Sequence, residues 1–439
     1  MLPTDALIWL IALALLALLV HIRRQPMLAR AWRKVFMQPA AMVAFVILMS
    51  FTCIALLDAV HLEPTHVAAS GPQSLLDRLI EPLAQARERR YSEPLAWQSF
   101  RKESIERDGV TVRDYPRLKH GGAHLQDPQR QWGPDLRARL GKALLLAAAI
   151  TALLYATMRV AFARSTLPWR AACATLAVLA LLGCVTVELS SVYHLLGTDR
   201  TGNSVLWVAL KSVRTALVIG TLTTLVVLPL ALGLGVAAGY FRGWVDEAIQ
   251  YVYTLLSSIP DVLLIAAAVL MLQVTIDRYP ELFSSALERS DARLLFLCLI
   301  LGITAFTGLC RLVRGEAMKL RAMEYVQAAR GFGVPAWRIL VRHIVPNLMH
   351  IVMISLVMQF SGFVLAEAVL SYVGVGVDPK TPSFGGMINS ARAELAATPV
   401  VWWTLATAFV FMLAMVLSAN LFADAVRDAF DPRARTRGS

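Results

Sequence analysis

Charge is scarce in this chain. Of 439 residues only 16% are Asp, Glu, Lys or Arg, against 57% hydrophobic. That balance excludes an ordinary soluble protein, which has no use for so much apolar sequence in long blocks. Cysteine is scarcer still. Cys53, Cys173, Cys184, Cys298 and Cys310 all fall in apolar stretches without paired spacing, which argues against a disulfide framework and against a metal site. The eight histidines do not gather at ligand spacing. His120 and His124 stand four apart, but Gly121 and Gly122 between them spoil a helix, so a solvated turn is the better reading. No GxxxxGK[ST] segment exists to cradle the phosphates of ATP, and no serine, cysteine or carboxylate constellation points to catalysis. No basic, aromatic-laced surface domain exists to hold nucleic acid.

What is present is a series of long apolar stretches. A bilayer core needs roughly 20 such residues per helix. Candidate spans are 6–20, 40–60, 142–163, 171–189, 215–239, 251–273, 294–310, 348–375 and 402–423. They imply an all-α integral membrane protein, a polytopic bundle of about nine transmembrane helices. The first, ALIWLIALALLALLV, is short enough for a signal peptide. No basic region precedes it, Arg23 and Arg24 follow it, and no small-residue cleavage site is evident, so a retained anchor is expected.

Lys and Arg collect in alternate short loops, and basic residues resist translocation. One side takes Arg23, Arg24, Arg30, Arg33 and Lys34, then Arg159, Arg164 and Arg170, Arg242, the stretch from Arg311 to Arg342, and the tail with Arg427, Arg433, Arg435 and Arg437. That side is expected to be cytoplasmic, with the C-terminus inside and the N-terminus outside. The same bias accounts for most of the net charge of +12. Residues 61–141 form the one sizeable soluble insert, placed outside by parity. Its patterning suggests helix around 74–90 and 96–108, with Gly121, Gly122, Pro128 and Pro134 breaking up its later part. It reads as a small accessory domain or a partly ordered loop without chemistry of its own.

The most polar stretch of the second half is EYVQAARGFGVPAWRILVRHIVPN at 324–347. Good helix formers run from Glu316 to Arg330. Gly331 and Gly333 allow a sharp turn, and Pro335 suits the first turn of a second helix expected over 336–344 and ending near Pro346. Helix, tight turn, helix makes a compact knob fit for a groove on another protein. The competing reading is an amphipathic loop lying on the anionic leaflet.

This stretch resembles the EAA motif of permease subunits in bacterial ABC importers. Gln327, Ala328 and Ala329 take the Glu-Ala-Ala places, with Gln where the family usually has Glu. Gly333 takes the glycine and Val345–Pro346 the end, while RHIVPN at 342–347, with Arg342 and His343, is similar to the oligopeptide, dipeptide and nickel branch. LLGTDRTGNSV at 195–205 resembles that branch's GTDxxGRD segment through Gly197, Thr198, Asp199 and Gly202, with Asn203 and Ser204 in place of Arg-Asp. Arg214 stands where the branch has an Arg before its next helix. Within AGYFRGWVDEAIQYVYTLLSSIP at 238–260, Gly243, Val245, Asp246 and Pro260 match, but Tyr251 and Thr254 depart. LAEAVLSYVGVGVDPKTPSFGGMI at 365–388, which contains Glu367, and ANLFADAVRDAFDPR at 419–433 complete the series.

The resemblance divides the chain into an anchor and basic loop (1–39), a first core span (40–60), the insert (61–141), two additional spans (142–189), a permease core (190–434) with its coupling loop at 315–347, and a basic tail (435–439). Six of the spans would be the type I importer core. Two extra spans preserve the sidedness of everything that follows. The resemblance implies a half-pore in the bacterial inner membrane that pairs with a homologous second permease. It implies one or two cytoplasmic ABC ATPases seated on Glu324, Gln327, Ala328, Ala329, Gly333, Arg342, His343 and Pro346, and an extracytoplasmic solute-binding protein. This chain would bind no cofactor and no nucleic acid and would not itself be an enzyme; ATP and Mg would belong to the ATPases. Peptide-like cargo leads, with nickel or another chelate behind it. A membrane assembly protein acting through 61–141 is the reading outside this class.

Single residues raise narrower questions. Glu367 sits in an apolar run, where a carboxylate is costly and a functional candidate, or it caps the helix before Gly374. Asp261, after Pro260, reads as a cap at a helix break, and Glu188 as an outer-interface residue. Met353, Met358 and Phe360 read as helix-packing residues.

Overall fold

The computed structural model describes residues 4–10, 13, 26–62, 73–80, 87–88, 90–107, 110–162, 167–279, 281 and 285–430. In chain order come α1 (Pro26–Met37), α2 (Pro39–Ala59), β1 (His61–Leu62), β2 (Gln73–Ser74), α3 (Leu75–Leu79), β3 (Glu103–Arg107), β4 (Val110–Asp114), α4 (Pro128–Phe162), α5 (Trp169–Ser190), α6 (Val205–Phe241), α7 (Trp244–Ser257), α8 (Asp261–Arg278), α9 (Ala286–Arg321), α10 (Glu324–Gly331), α11 (Ala336–Ile339), a π-turn (Leu340–Ile344), α12 (Val345–Val373), α13 (Phe384–Leu395) and α14 (Trp403–Phe430). Among the described residues the protein is all-α apart from two small antiparallel ribbons, β1–β2 and β3–β4.

Seven of these helices, α2, α4, α5, α6, α9, α12 and α14, are long and apolar enough to cross a membrane, and α7 with α8 makes an eighth if the pair is one span. The expected span 6–20 lies largely outside the described residues. The expected span 251–273 is corrected: it is no single straight helix, because α7 and α8 meet at a bend of 84°. Pro260 has no N–H to donate and pushes Ile259 out of helical geometry, so α7 stops and α8 restarts at Asp261. Asp261 thus opens a helix at a break, where a carboxylate meets free N–H groups.

The chain forms two compact units, one of residues 33–216 and 382–422, the other of 2–32, 217–381 and 423–439. In the first, described residues of the insert pair with the segment 194–202. Among the insert's described residues before α4, helix is limited to α3, which Ser74 and Asp77 close with a reciprocal capping box. Around 96–108 the expected helix is replaced by β3 and the hairpin to β4: the alternating, β-branched sequence of the hairpin arms suits a pleated strand better. Pro134 does not break the chain either; it lies inside α4, which begins at Pro128. The two additional spans α4 and α5 form a helical hairpin, with α5 against α2.

In the second unit, α6 and α9 pack backbone to side chain. A Cβ on Gly235 would lie 2.8 Å from the Cys310 carbonyl, and one on Gly239 would lie 2.6 Å from that of Arg314. Small residues at such crossings give the close contact that substitutes for a hydrophobic driving force in lipid. Phe360 fills the notch at Gly220, whose Cβ would meet its ring at 2.4 Å, as its packing role requires.

Candidate functional site

The polar stretch 324–347 builds the candidate coupling site. α9 stops at Arg321 and α10 starts at Glu324, so the expected continuous helix 316–330 is interrupted at Ala322–Met323. Gln327 explains how the break is held: its Nε2 donates to the Ala322 carbonyl at 3.0 Å. A glutamate has no N–H to make that bond. Glu324 stands in the first turn of α10, where its charge complements the helix dipole.

Gly333 has φ +75°, and a Cβ there would meet nothing within 4 Å. Pro335 stands at the N-cap of α11, one place before the expected first turn. The second helix does not end near Pro346. Val345 donates to the Leu340 carbonyl, five residues back, and this π-turn carries the chain straight into α12, with Pro346 in its first turn. The wider turn absorbs the missing N–H and the ring that an α-turn would leave clashing. Asn347 ties the joint, donating to the His343 carbonyl at 2.7 Å and to the Tyr325 hydroxyl at 3.2 Å.

Three apolar side chains root the loop. Val326, Ile339 and Ile344 are each 0% exposed and join a cluster with Tyr253, Val313 and Ala317. Each such burial stabilises by about 1.5–3 kcal/mol, so the loop is held as a rigid knob. Its outer surface carries Ala328, Arg330, Arg342 and Pro346, all exposed, while Ala329 and His343 are half-buried. Two aromatic residues that sequence reading passed over complete it: Phe332 is 88% exposed and Trp337 63%. Their place between two apolar-flanked turns was the available signal. Beside the knob, Arg314 grips Asp246 with two bonds, at 2.5 and 2.8 Å, fixing α7 to α9. Glu367 is 1% exposed and accepts from the Ser371 hydroxyl at 2.6 Å. It lies within α12, two turns before its end; the residue at the cap is Gly374, at φ +90°.

The segment 194–204, in the other unit, is a loop gripped by the insert. Ser92 N donates to Thr198 Oγ1 (2.8 Å), and Thr198 N donates to the Ser92 carbonyl (3.1 Å). Glu88 N donates to the Gly202 carbonyl (3.0 Å). Gly202, at φ +83°, has no room for a Cβ, which would lie 2.2 Å from the Glu88 carbonyl. Asp199 Oδ1 accepts from Thr201 N at 2.7 Å and Asn203 N at 2.9 Å, a local turn that Asn203 suits. Gly197, at φ +74°, packs against Trp403, whose indole donates to the Thr198 carbonyl at 3.0 Å.

Charged groups secure the same region. Glu88 accepts from the backbone of Lys119, His120 and Gly121, and burial holds the His194 imidazole below its ordinary range despite Glu88 3.9 Å away. Lys211 bridges Asp77 (2.8 Å) and Asp58 (3.4 Å), and Arg214 reaches Asp58 at 3.7 Å. Burial raises the Asp77 carboxyl, but Lys211 and Trp207 outweigh it and hold the group below the usual range. His124 bonds Asp135 at 3.0 Å; among the described residues no group of three or more ligating side chains is placed to hold a metal.

The chain is similar to known proteins. Residues 231–436 match the binding-protein-dependent transport system inner membrane component family. The oligopeptide transport system permease protein OppC of Mycobacterium tuberculosis (strain ATCC 25618 / H37Rv) is 33% identical over 243 residues, 55% of this chain and 77% of the relative. The chain belongs to this permease family. Its membership extends to the glutathione transport system permease protein GsiD of Pectobacterium atrosepticum, 31% identical over 55% of this chain and 74% of the relative. The dipeptide transport system permease protein DppC of Lactococcus lactis is 27% identical over 55% and 64%. Residues 87–194, the insert and the added spans, also match the NADH-ubiquinone oxidoreductase ASHI subunit; that stretch is a quarter of the chain and none of the relatives named here is of that kind. The family is one of multi-pass inner-membrane transport permeases.

Proposed function

We propose that this chain is one permease half of an ATP-driven importer for peptide-type solutes. The observation that carries the reading is the knob at 324–344: a glycine turn with open space around it, rooted by three buried aliphatic residues and tipped by exposed Phe332 and Trp337. A monomer gains nothing by exposing two such aromatics on a rigid turn, whereas a partner groove does. In this reading a cytoplasmic ATPase receives Phe332, Gly333, Ala328 and Ala329, with Arg330 and Arg342 at the rim. Closure of two ATPases on ATP and Mg would push α10 to α12 as a unit and bias the spans between two openings. A second, homologous permease completes the path, and a solute-binding protein delivers cargo on the far side. The C-terminus lies on the ATPase side by the distribution of Lys and Arg. Peptide-type cargo is supported by the oligopeptide, dipeptide and glutathione permeases among the relatives.

Affinity purification of the chain from mild detergent, with mass spectrometry of what accompanies it, tests the proposal. A second permease and an ATPase are expected, and Gly333→Trp and Phe332→Ala are expected to lose the ATPase while both still insert in the membrane; Phe332→Ala should also melt within about 2 °C of the parent, whereas Gly333→Trp melts lower because a Cβ is strained at φ +75°. Retention of the ATPase by both variants would refute the coupling role, because Phe332 is 88% exposed and a side chain at 333 projects into open space.

A further inference from the structure

The second unit holds a cavity that neither the knob nor the family motifs use. It is a cleft open to solvent, lined by Asp277 in the last turn of α8, by Arg289, Ser290 and Arg293 in the first turns of α9, and by Asp378 and Lys380 after α12; Asp277, Arg289 and Lys380 are exposed, Arg293 and Asp378 half-buried. Three of these side chains are cationic and two anionic, yet no ion pair joins any of the five to a partner among the described residues. Asp378 accepts only the backbone N–H of Lys380, at 2.9 Å. Arg293 Nε is buried without a hydrogen-bond partner.

Opposite charges around one space would normally collapse into pairs. Here they are borne by three separate backbone segments that hold them apart, leaving fields of both signs open to one occupant. A ligand carrying an ammonium and a carboxylate satisfies both, with charge-assisted hydrogen bonds of the stronger kind. The space, open on one side, has room for an α-amino acid or a dipeptide. Position gives it a side. From Arg289 to the break after Arg321, α9 runs about 48 Å at ~1.5 Å per residue, comparable with the ~40–45 Å of a whole bilayer.

We propose that this cavity is a binding site on the permease itself for the zwitterion of an α-amino acid or dipeptide, at the face opposite the knob. Arg289, Arg293 and Lys380 receive the carboxylate, and Asp277 and Asp378 the ammonium. As a cargo subsite it rests on the importer reading; as a binding site it does not.

The test titrates the full chain, in phosphatidylcholine nanodiscs, with dialanine and with N-acetyl-dialanine amide, which carries no charge. Calorimetry should show saturable binding of dialanine only. Arg289→Gln with Lys380→Gln, and separately Asp277→Asn with Asp378→Asn, should each weaken it at least tenfold, while Lys380→Arg should keep it, which separates lost charge from lost folding. Equal binding of the capped compound, or no dialanine binding by the parent chain, overturns the proposal. So does occupancy by phosphatidylethanolamine in mixed nanodiscs that dialanine cannot displace, which would make this a lipid site. Peptide uptake by the assembled complex that is indifferent to these substitutions would sink the cargo subsite and leave the importer standing. Dialanine binding by a chain that captures no ATPase would do the reverse.

Discussion

At Glu394, in α13, the fold holds a carboxyl group at 1% exposure with neither oxygen hydrogen-bonded. Burial pushes it above the ordinary carboxylate range, Asp199 adds to the rise, and Thr404 and Arg200 offset it only in part. The raised group binds its proton more tightly in the folded chain than in the unfolded one. Its contribution is therefore fully present below the unfolded pKa, about 4.3, and is lost as pH rises through the folded value. Glu394→Gln keeps a neutral group at every pH. The variant should melt with the parent near pH 4 and roughly 2–4 °C above it at pH 8, by thermal unfolding in detergent. A gap independent of pH would mean that ionisation is not what the fold resists. Gln327 makes the complementary point: its side-chain N–H, which a glutamate there would lack, holds the break before α10.

The joints between elements carry as much consequence as the helices. α7 and α9 are tied at Asp246 and Arg314 by the two bonds of a planar fork, next to the cluster that roots the knob. Asp246→Ala would leave a part-buried guanidinium without its partner, a loss of about 1.5–3 kcal/mol for charge-assisted bonds. Asp246→Ala combined with Arg314→Met should recover part of it, since an apolar replacement of both partners strands no charge. If the single and double variants melt alike, the pair contributes no coupling and α7 is held by its apolar face alone. The π-turn before α12 is the other such joint, turning what the sequence presents as a helix end at Pro346 into a continuous strut.

For the molecule as a whole, the insert decides whether the permease core is separable from its additions. The segment 88–96 pairs with 194–202 through backbone bonds, and Asp77 of α3 takes Lys211 of α6. Replacing residues 61–127 with a flexible Gly/Ser linker should therefore lower the melting temperature by more than about 5 °C or leave an aggregating protein, read by size exclusion and thermal unfolding. An unchanged, monodisperse core would mean that the insert folds apart from the core and adds nothing to its stability.

The sequence by itself determined the class, the places of most spans, the turn at Gly333 and the ordered series of family motifs. Each of these rests on local chemistry: apolar run length, a residue without a Cβ, a charge barred from crossing lipid. Only the tertiary structure decided the 84° bend at Pro260, the continuity through Pro346, the hairpin at 103–114, the exposed tip of Phe332 and the clasp on Thr198 and Gly202. Those depend on partners far away in sequence. A proline can end a helix or be carried through it, and which occurs is set by whether neighbouring groups accept the geometry that its missing N–H imposes.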